Sequence, residues 1–194
     1  QLDQLNKYYK ILVEENKKIN LTGITAKKEV YLKHFYDSLA AAPLIEDKNT
    51  KLCDIGSGAG FPGVVLKIAY PQLDVTLVDS LEKRTKFLNY LIKELNLENI
   101  KVETARIEDY SKKHKEEFDI VTSRAVANIE KLVKYTMHLV SPSGIFVAMK
   151  GDIDNELTED IKRKLSKKYK ITKIEKFLLP IEESKRSLVV MKNK

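Results

Sequence analysis

The chain has 194 residues, with 35 Lys and Arg against 28 Asp and Glu, a formal net charge of +7, 43% hydrophobic and 32% charged residues. This balance excludes collagen-like, mucin-like and disordered chains, and the length suffices to bury a core of roughly one domain without a disulfide or metal staple. The one cysteine, Cys53, leaves no internal disulfide or Cys-rich zinc site and suits a reducing, cytoplasmic setting, while the longest apolar run, Leu39 to Ile45, is too short to span a bilayer and no secretory leader pattern is visible.

Leu2, Leu5, Tyr9, Leu12 and Ile19 recur at mostly helical spacing and predict a first amphipathic helix over Leu2 to Ile19. The chain opens inside this pattern, so a natural start upstream of Gln1 is expected. After the break at Asn20-Leu21-Thr22-Gly23, Thr25 is the candidate cap of a second helix over Lys27 to Ala42, stopped by Pro43. Strands and helices then alternate. Strands are expected at Lys51–Ile55, Val75–Asp79, Ile100–Thr104, Phe118–Ser123, Ile145–Met149, Tyr169–Leu178 and Ser187–Met191. Helices are expected at Phe61–Ala69 with Pro62 in the first turn, at Glu82–Leu95, at Asn128–Val140, and where Ile153, Leu157, Ile161 and Leu165 step by four. Such alternation of apolar strands with helices implies an α/β fold with a mostly parallel sheet covered on both faces.

Asp54-Ile55-Gly56-Ser57-Gly58-Ala59-Gly60-Phe61-Pro62-Gly63 leaves a strand and opens a helix, the place where such a sheet holds a nucleotide-like cofactor. Glycine there keeps side chains from separating a ligand from the backbone. Asp79, at the end of the next strand, is placed to accept from ribose hydroxyls. The dinucleotide fingerprint needs its third glycine at position 61, which is Phe61. S-adenosylmethionine has no pyrophosphate and tolerates this departure. Glu108, after the third strand, is a candidate for the adenine edge.

What the chain lacks also discriminates. An Asn/Asp-Pro-Pro-aromatic motif for methylating exocyclic amines is missing; Ser123-Arg124-Ala125-Val126-Ala127 stands after the fourth strand. Cys53 lies inside a strand, where it packs and does not serve as the nucleophile that cytosine carbon methylation requires. An acceptor atom with its own lone pair remains, such as guanine N(7), for which in-line positioning suffices without a general base.

The segments Asn16–Thr22, His34–Leu39, Asp54–Gly63, Leu77–Arg84, Ser123–Ala127 and Lys150-Gly151 run in one order over nearly the whole chain. In these the chain resembles the bacterial small-subunit ribosomal RNA guanine-N(7) methyltransferases, the glucose-inhibited division protein B family. The resemblance implies a class I S-adenosylmethionine-dependent methyltransferase fold, Rossmann-like, with about seven strands and an N-terminal helical extension. The extension would cover residues 1–45 and the methyltransferase domain residues 46–194. It implies that Gly56 and Phe61 line the cofactor site, that Asp79, Ser80 and Leu81 hold the ribose side, that Ile107 and Glu108 contact the adenine, and that Arg124 approaches the methionine part. The substrate implied is a guanine in the 530 loop of 16S rRNA, presented by the small ribosomal subunit or its precursor. A monomer acting without membrane or metal is expected. Glu15, where many members have Trp, and Ser187, where many have His, depart from the pattern.

Several residues carry two readings each. Arg124 is either a clamp on the cofactor carboxylate or a phosphate, or one half of a salt bridge. His34 either contacts RNA or is packed and hydrogen-bonded. Lys150 either meets RNA phosphate or is solvated, and Lys83 and Arg84 pose a similar choice. Asn20 and Asp37 either cap helices or touch substrate. The basic run Lys162, Arg163, Lys164, Lys167, Lys168, Lys170, Lys173 and Lys176 is either a solvated face or an rRNA contact. Two other functions fit the same fold: a non-catalytic RNA-binding assembly factor, or a methyltransferase for a small molecule or protein. A dinucleotide oxidoreductase fits less well.

Overall fold

The computed structural model describes residues 1–45 and 49–194. The expected boundary between residues 45 and 46 adjoins residues 46–48, which lie outside the described residues. Among the described residues, seven strands form one sheet: β1 (Lys51–Ile55), β2 (Asp74–Asp79), β3 (Ile100–Thr104), β4 (Phe118–Arg124), β5 (Val140–Lys150), β6 (Tyr169–Leu178) and β7 (Lys185–Asn193). Their order is β3-β2-β1-β4-β5-β7-β6, parallel from β3 through β5, with β7 antiparallel to both of its neighbours. The order reverses between β1 and β4, and the crevice beyond their carboxyl ends is where ligands settle in such sheets.

Successive residues of a strand face opposite sides. Leu52 and Leu77 therefore join one core with helices α1 (Leu2–Ile19), α4 (Gly63–Ala69) and α5 (Glu82–Glu94). Cys53 and Val78 join the other, with α7 (Ile129–Thr136) and α8 (Glu159–Leu165). The first core also takes in Tyr8, Leu12, Val30 and Phe35, so the helices ahead of the sheet share its packing. No described helix is long and apolar enough to cross a membrane.

α1 has the expected bounds, but its buried residues are Tyr8 and Leu12, while Leu2 is 74% exposed. It ends where Asn20 turns left-handed at φ 50° and the Asn16 side chain accepts from the N–H groups of Leu21 (2.6 Å) and Thr22 (2.8 Å). The expected second helix is composite: α2 (Lys27–Val30), a π-helical turn (Tyr31–Tyr36) and α3 (Asp37–Leu39), then a 3-10 turn (Ala42–Leu44) that contains Pro43. Ala26, not Thr25, precedes it, and no side chain caps it; the Thr25 carbonyl instead accepts from the Tyr9 hydroxyl. Pro62 lies just ahead of α4, which starts at Gly63.

Three further expectations change. Asn128 caps α7 by accepting from the Glu130 N–H, and α7 stops at Thr136, leaving Val140 to open β5. Only the second half of the Ile153–Leu165 pattern is helical, because Thr158 caps α8 and accepts from the Ile161 N–H. Ile153 and Leu157 are nonetheless buried. Finally, α6 (Ile107–Lys113) follows β3, where no helix was expected.

Candidate functional site

The chain leaves β1 through three residues in the left-handed region, Gly56 (φ +70°), Gly58 (φ +58°) and Gly60 (φ +99°). Backbone and carboxylate contacts hold this loop. Gly56 N–H donates to the Val78 carbonyl (2.8 Å), Gly58 N–H to Asp79 Oδ2 (2.9 Å) and Gly63 N–H to Asp54 Oδ2 (3.0 Å). A Cβ on Gly56 would lie 2.5 Å from Val126 Cγ2, so that glycine is required by packing as much as by any ligand. A Cβ on Gly58 meets nothing nearer than the Gly56 carbonyl at 3.8 Å, and the free space beside it belongs to a cavity.

Asp54 is fully buried, and burial lifts its pKa to about 6 against the hydrogen bonds from Gly63 N–H and the Thr122 hydroxyl. It ties the loop to β4 from beneath.

The cavity holds about 470 Å³ and opens at the carboxyl ends of β1, β2 and β4. Gly56, Phe61, Asp79, Ser80, Ile107, Glu108 and Arg124 all line it. Leu81 stands apart: it is 42% exposed, leads into α5, and its N–H donates to Asp79 Oδ1 (3.0 Å). Arg84 also lines the cavity and approaches Asp79 at 3.5 Å, with its Nε buried and without a hydrogen-bond partner. Leu21 and Thr22 reach the same wall from the end of α1.

Arg124, at the end of β4, is the junction of the site. Its Nη1 donates to the Lys33 carbonyl (2.9 Å) and to Asp37 Oδ2 (2.9 Å), and its guanidinium lies 5.0 Å from the centre of the Phe61 ring. Asp37 Oδ1 accepts from Arg186 Nε (3.1 Å). Asp37 is therefore an ionic bridge and not a cap. His34 stacks on Phe61 at 4.5 Å. Arg124 Nη2 lies 3.1 Å from its Nδ1, and Thr22 Oγ1 2.9 Å from its Nε2. The same Nδ1 also lies 3.2 Å from the Lys33 carbonyl, so the ring is held between a donor and an acceptor on that side. Burial first and the Arg124 charge second lower the His34 pKa to about 4. The packed reading of His34 fits this geometry.

His34, Arg124 and Ala125 also line a second cavity of about 350 Å³, so the three form a wall between the two. Ala125 is held at φ 54°, uncommon for a residue with a side chain. Lys33, Lys150, Phe177, Arg186 and Ser187 complete much of the second lining. Lys150 is neither solvated nor free: its Nζ donates to the Ala127 carbonyl (2.7 Å) and pairs with Glu156 (2.9 Å). The same Glu156 oxygen accepts from Ile129 N–H. This pair fixes the far end of the segment that follows Arg124.

The basic run mostly faces solvent. Five of its members pair with acids: Lys162 with Glu159, Arg163 with Asp160, Lys164 with Glu130, Lys173 with Glu175 and Lys176 with Asp154. The expectations named neither the Asp37 bridge nor the contributions of Leu21, Arg106 and Glu156. The Asp37 bridge joins residues 87 and 149 positions apart, beyond any local pattern. A local signal does exist in Asn16 and Asn20: the helix ends there, and the Asn16 side chain accepts from the N–H groups of Leu21 and Thr22, the two residues that line the cavity.

Comparison with known proteins agrees with this geometry. Solved structures of similar architecture include a SAM-dependent methyltransferase from Aquifex aeolicus, with TM-score 0.64 and 13% identity over 92% of this chain and 97% of that one. TrmN from Thermus thermophilus has TM-score 0.64 and 13% identity over 84% of this chain and 53% of that one. At such identity the likeness concerns the fold. Among relatives, ribosomal RNA small subunit methyltransferase G of Bacillus licheniformis is 48% identical, with 99% of this chain and 82% of the relative covered. The protein of the same name from Bacillus subtilis is 45% identical over the same shares, and that from Acetivibrio thermocellus 43% over 99% and 80%. The sequence profile of the GidB family, described as rRNA small subunit methyltransferase G, matches residues 1–189. A profile match over nearly the whole chain, joined to full-length relatives at this identity, means that the protein belongs to the rRNA small subunit methyltransferase G family.

Proposed function

We propose that the protein transfers a methyl group from S-adenosylmethionine to N(7) of a guanine in 16S rRNA, within the small ribosomal subunit or its precursor. The observation that carries this reading is the shared wall: His34, Arg124 and Ala125 border both cavities at the carboxyl edge of the sheet. A donor in the first cavity and a base in the second would meet across it.

The first cavity suits the cofactor. Its volume falls in the roughly 300–1,000 Å³ of small-molecule sites. Gly58 presents bare backbone to it, so a Cβ there would fill the cradle. Asp79 accepts one backbone hydrogen bond per oxygen, from Gly58 and Leu81, with Arg84 at 3.5 Å, and a carboxylate has further lone pairs for ribose hydroxyls. When bound, the cofactor supplies an electrophilic methyl on a sulfonium. Gly56 and Phe61 would border its methionine part, Asp79 and Ser80 its ribose, and Ile107 and Glu108 its adenine. Arg124 would offer its remaining N–H groups to a carboxylate on one side or an acceptor oxygen on the other. Guanine N(7) holds its own lone pair, so the chain's task is to orient the base and exclude water, with no proton to remove.

The helices of residues 1–45 and the domain of residues 46–194 act as one unit in this reading, because Leu21, Thr22 and His34 line the first cavity together with residues of the sheet. The protein acts in the cytoplasm as a monomer.

The test supplies labelled S-adenosylmethionine to small subunits from cells lacking this modification, followed by digestion of the RNA. Label in 7-methylguanosine, lost in Asp79→Ala, is the expected result. Cofactor binding without label in that nucleoside would overturn the assignment of the acceptor.

A further inference from the structure

We propose that Tyr8, in the middle of α1, is a positioning residue for the glycine loop, so that the N-terminal helix sets the affinity of the first cavity for its ligand. The inference rests on the reading of that cavity as the S-adenosylmethionine site.

Tyr8 is fully buried, and its hydroxyl donates to the carbonyl of Ala59, inside the loop. Tyr110, whose buried hydroxyl has no partner among the described residues, shows that a phenol can pack here by its ring alone. For Tyr8 the partner is not helix or strand but the backbone between Gly58 and Gly60, the stretch with the greatest conformational freedom in the site. The hydroxyl also fills the space a side chain at Gly60 would need, since a Cβ there would lie 2.7 Å from it. Asp54 and Asp79 hold the loop through Gly63 and Gly58 N–H groups, from the side of the sheet. Tyr8 holds it from the opposite side. Burial pushes the phenol's pKa well up, which keeps the hydroxyl a donor.

The Tyr8 ring extends the influence further. It stacks on Phe61 with centroids 5.5 Å apart and 20° between planes, and lies 5.1 Å from Phe35. Phe61 in turn carries His34 and the Arg124 guanidinium. Rings from α1, the π-helical turn and the glycine loop thus form a continuous stack that ends at the wall between the cavities. A tyrosine serving packing alone would need the ring and not the hydroxyl; the bond to Ala59 is what assigns it to the loop.

Tyr8→Phe separates the two roles, because it keeps the stack and removes the donor. The Ala59 carbonyl then loses its partner and the loop gains freedom. Calorimetric titration with S-adenosylmethionine should show binding weakened roughly tenfold, the size of one lost buried hydrogen bond. The KM for small subunits and kcat at saturating cofactor should stay within about twofold of wild type, since the second cavity is untouched. Leu12→Val, one turn along the same buried face and away from the loop, serves as the control matched for thermal stability.

Weakened cofactor binding in Tyr8→Phe alone supports the inference. Equal binding by Tyr8→Phe and wild type overturns it, as does an equal loss in Leu12→Val at the same melting temperature, which would make the effect one of general stability. Wild-type protein that fails to bind S-adenosylmethionine overturns the cofactor reading itself, and this inference with it.

Discussion

Arg124 and Asp37 approach to 2.9 Å across 87 residues of sequence, joining the end of β4 to the helices that precede the sheet, with side chains 13% and 7% exposed. The same carboxylate takes Arg186 from β7 at 3.1 Å. One acid therefore holds two guanidinium groups at the rim of the second cavity. Replacing Asp37 by Asn would leave two cations facing each other with little solvent to screen them. Removing one partner of a buried pair costs about 3 kcal/mol. Asp37→Asn should lower stability by about that amount in urea denaturation, and Arg186→Ala by less, because Arg124 would keep the carboxylate. Equal stability of Asp37→Asn and wild type would mean that the bridge contributes nothing net.

The pH dependence of stability should contain two opposed contributions. His34 has its folded pKa lowered from 6.5 to about 4, so the unfolded chain binds more protons between those values and His34 favours the fold increasingly as pH rises through that window. Asp54 is raised from 3.8 to about 6, so the folded chain binds more protons there and its contribution is lost as pH rises. The two windows overlap and nearly cancel. His34→Gln removes one of them. Each tenfold change in proton affinity is worth about 1.4 kcal/mol, so the stability advantage of wild type over that variant should grow by about 3 kcal/mol as the pH rises across the His34 window. A difference that stays flat with pH would show that His34 titrates normally in the folded protein.

Much of this architecture is legible in the sequence. The parallel strands are buried on both faces, as in Leu52-Cys53-Asp54-Ile55, and the glycines at 56, 58 and 60 fix where a ligand loop must leave the sheet. The misreadings have local causes. Ile153 and Leu157 are spaced as on a helix but lie in a turn, because burial selects apolar residues in either conformation. In α6 only Ile107 and Tyr110 are apolar, too few for a periodicity to show. The wall between the cavities is half visible: Arg124 and His34 stand out as residues, but that they touch each other, that Asp37 holds Arg124, and that Phe61 carries both, depends on contacts between distant segments. Local sequence carries propensity and pattern, and such contacts follow from neither.

The glycines of the loop should divide by variant. Gly60→Ala places a Cβ 2.7 Å from both the Tyr8 hydroxyl and Val64 Cγ2, at φ +99°. It should cost about 3 kcal/mol of stability, since overpacking adds to backbone strain. Gly58→Ala meets only the Gly56 carbonyl at an ordinary 3.8 Å, at φ +58°, and should cost only about 1 kcal/mol. Thermal unfolding distinguishes the two. Ligand binding reverses the ranking of interest: Gly58→Ala, though well folded, should lose affinity for S-adenosylmethionine because its methyl group occupies the cradle. Retained affinity in that variant would move the ligand away from the loop.

The basic run offers a test of which surface meets the RNA. β6 runs parallel to β5, since each is antiparallel to β7, so its carboxyl end lies with the cavities. Lys176 is level with Ser187 and so with Lys150, whereas Lys170 is level with Lys192. Six residues of strand separate them, roughly 20 Å at the rise of a β-strand. Lys167 and Lys168 lie before β6 begins, farther still toward the amino end of the sheet. Converting Lys167, Lys168 and Lys170 together to Glu should therefore leave the KM for small subunits within about threefold of wild type, since contacts on the far side add little to a complex centred on the cavities. Arg186→Ala removes a cation from the rim itself and should raise that KM by about tenfold, with a shallower dependence on salt. If the triple substitution proves the more damaging, the RNA wraps the edge strand, and the run at Lys162–Lys176 is a binding face despite its acidic partners.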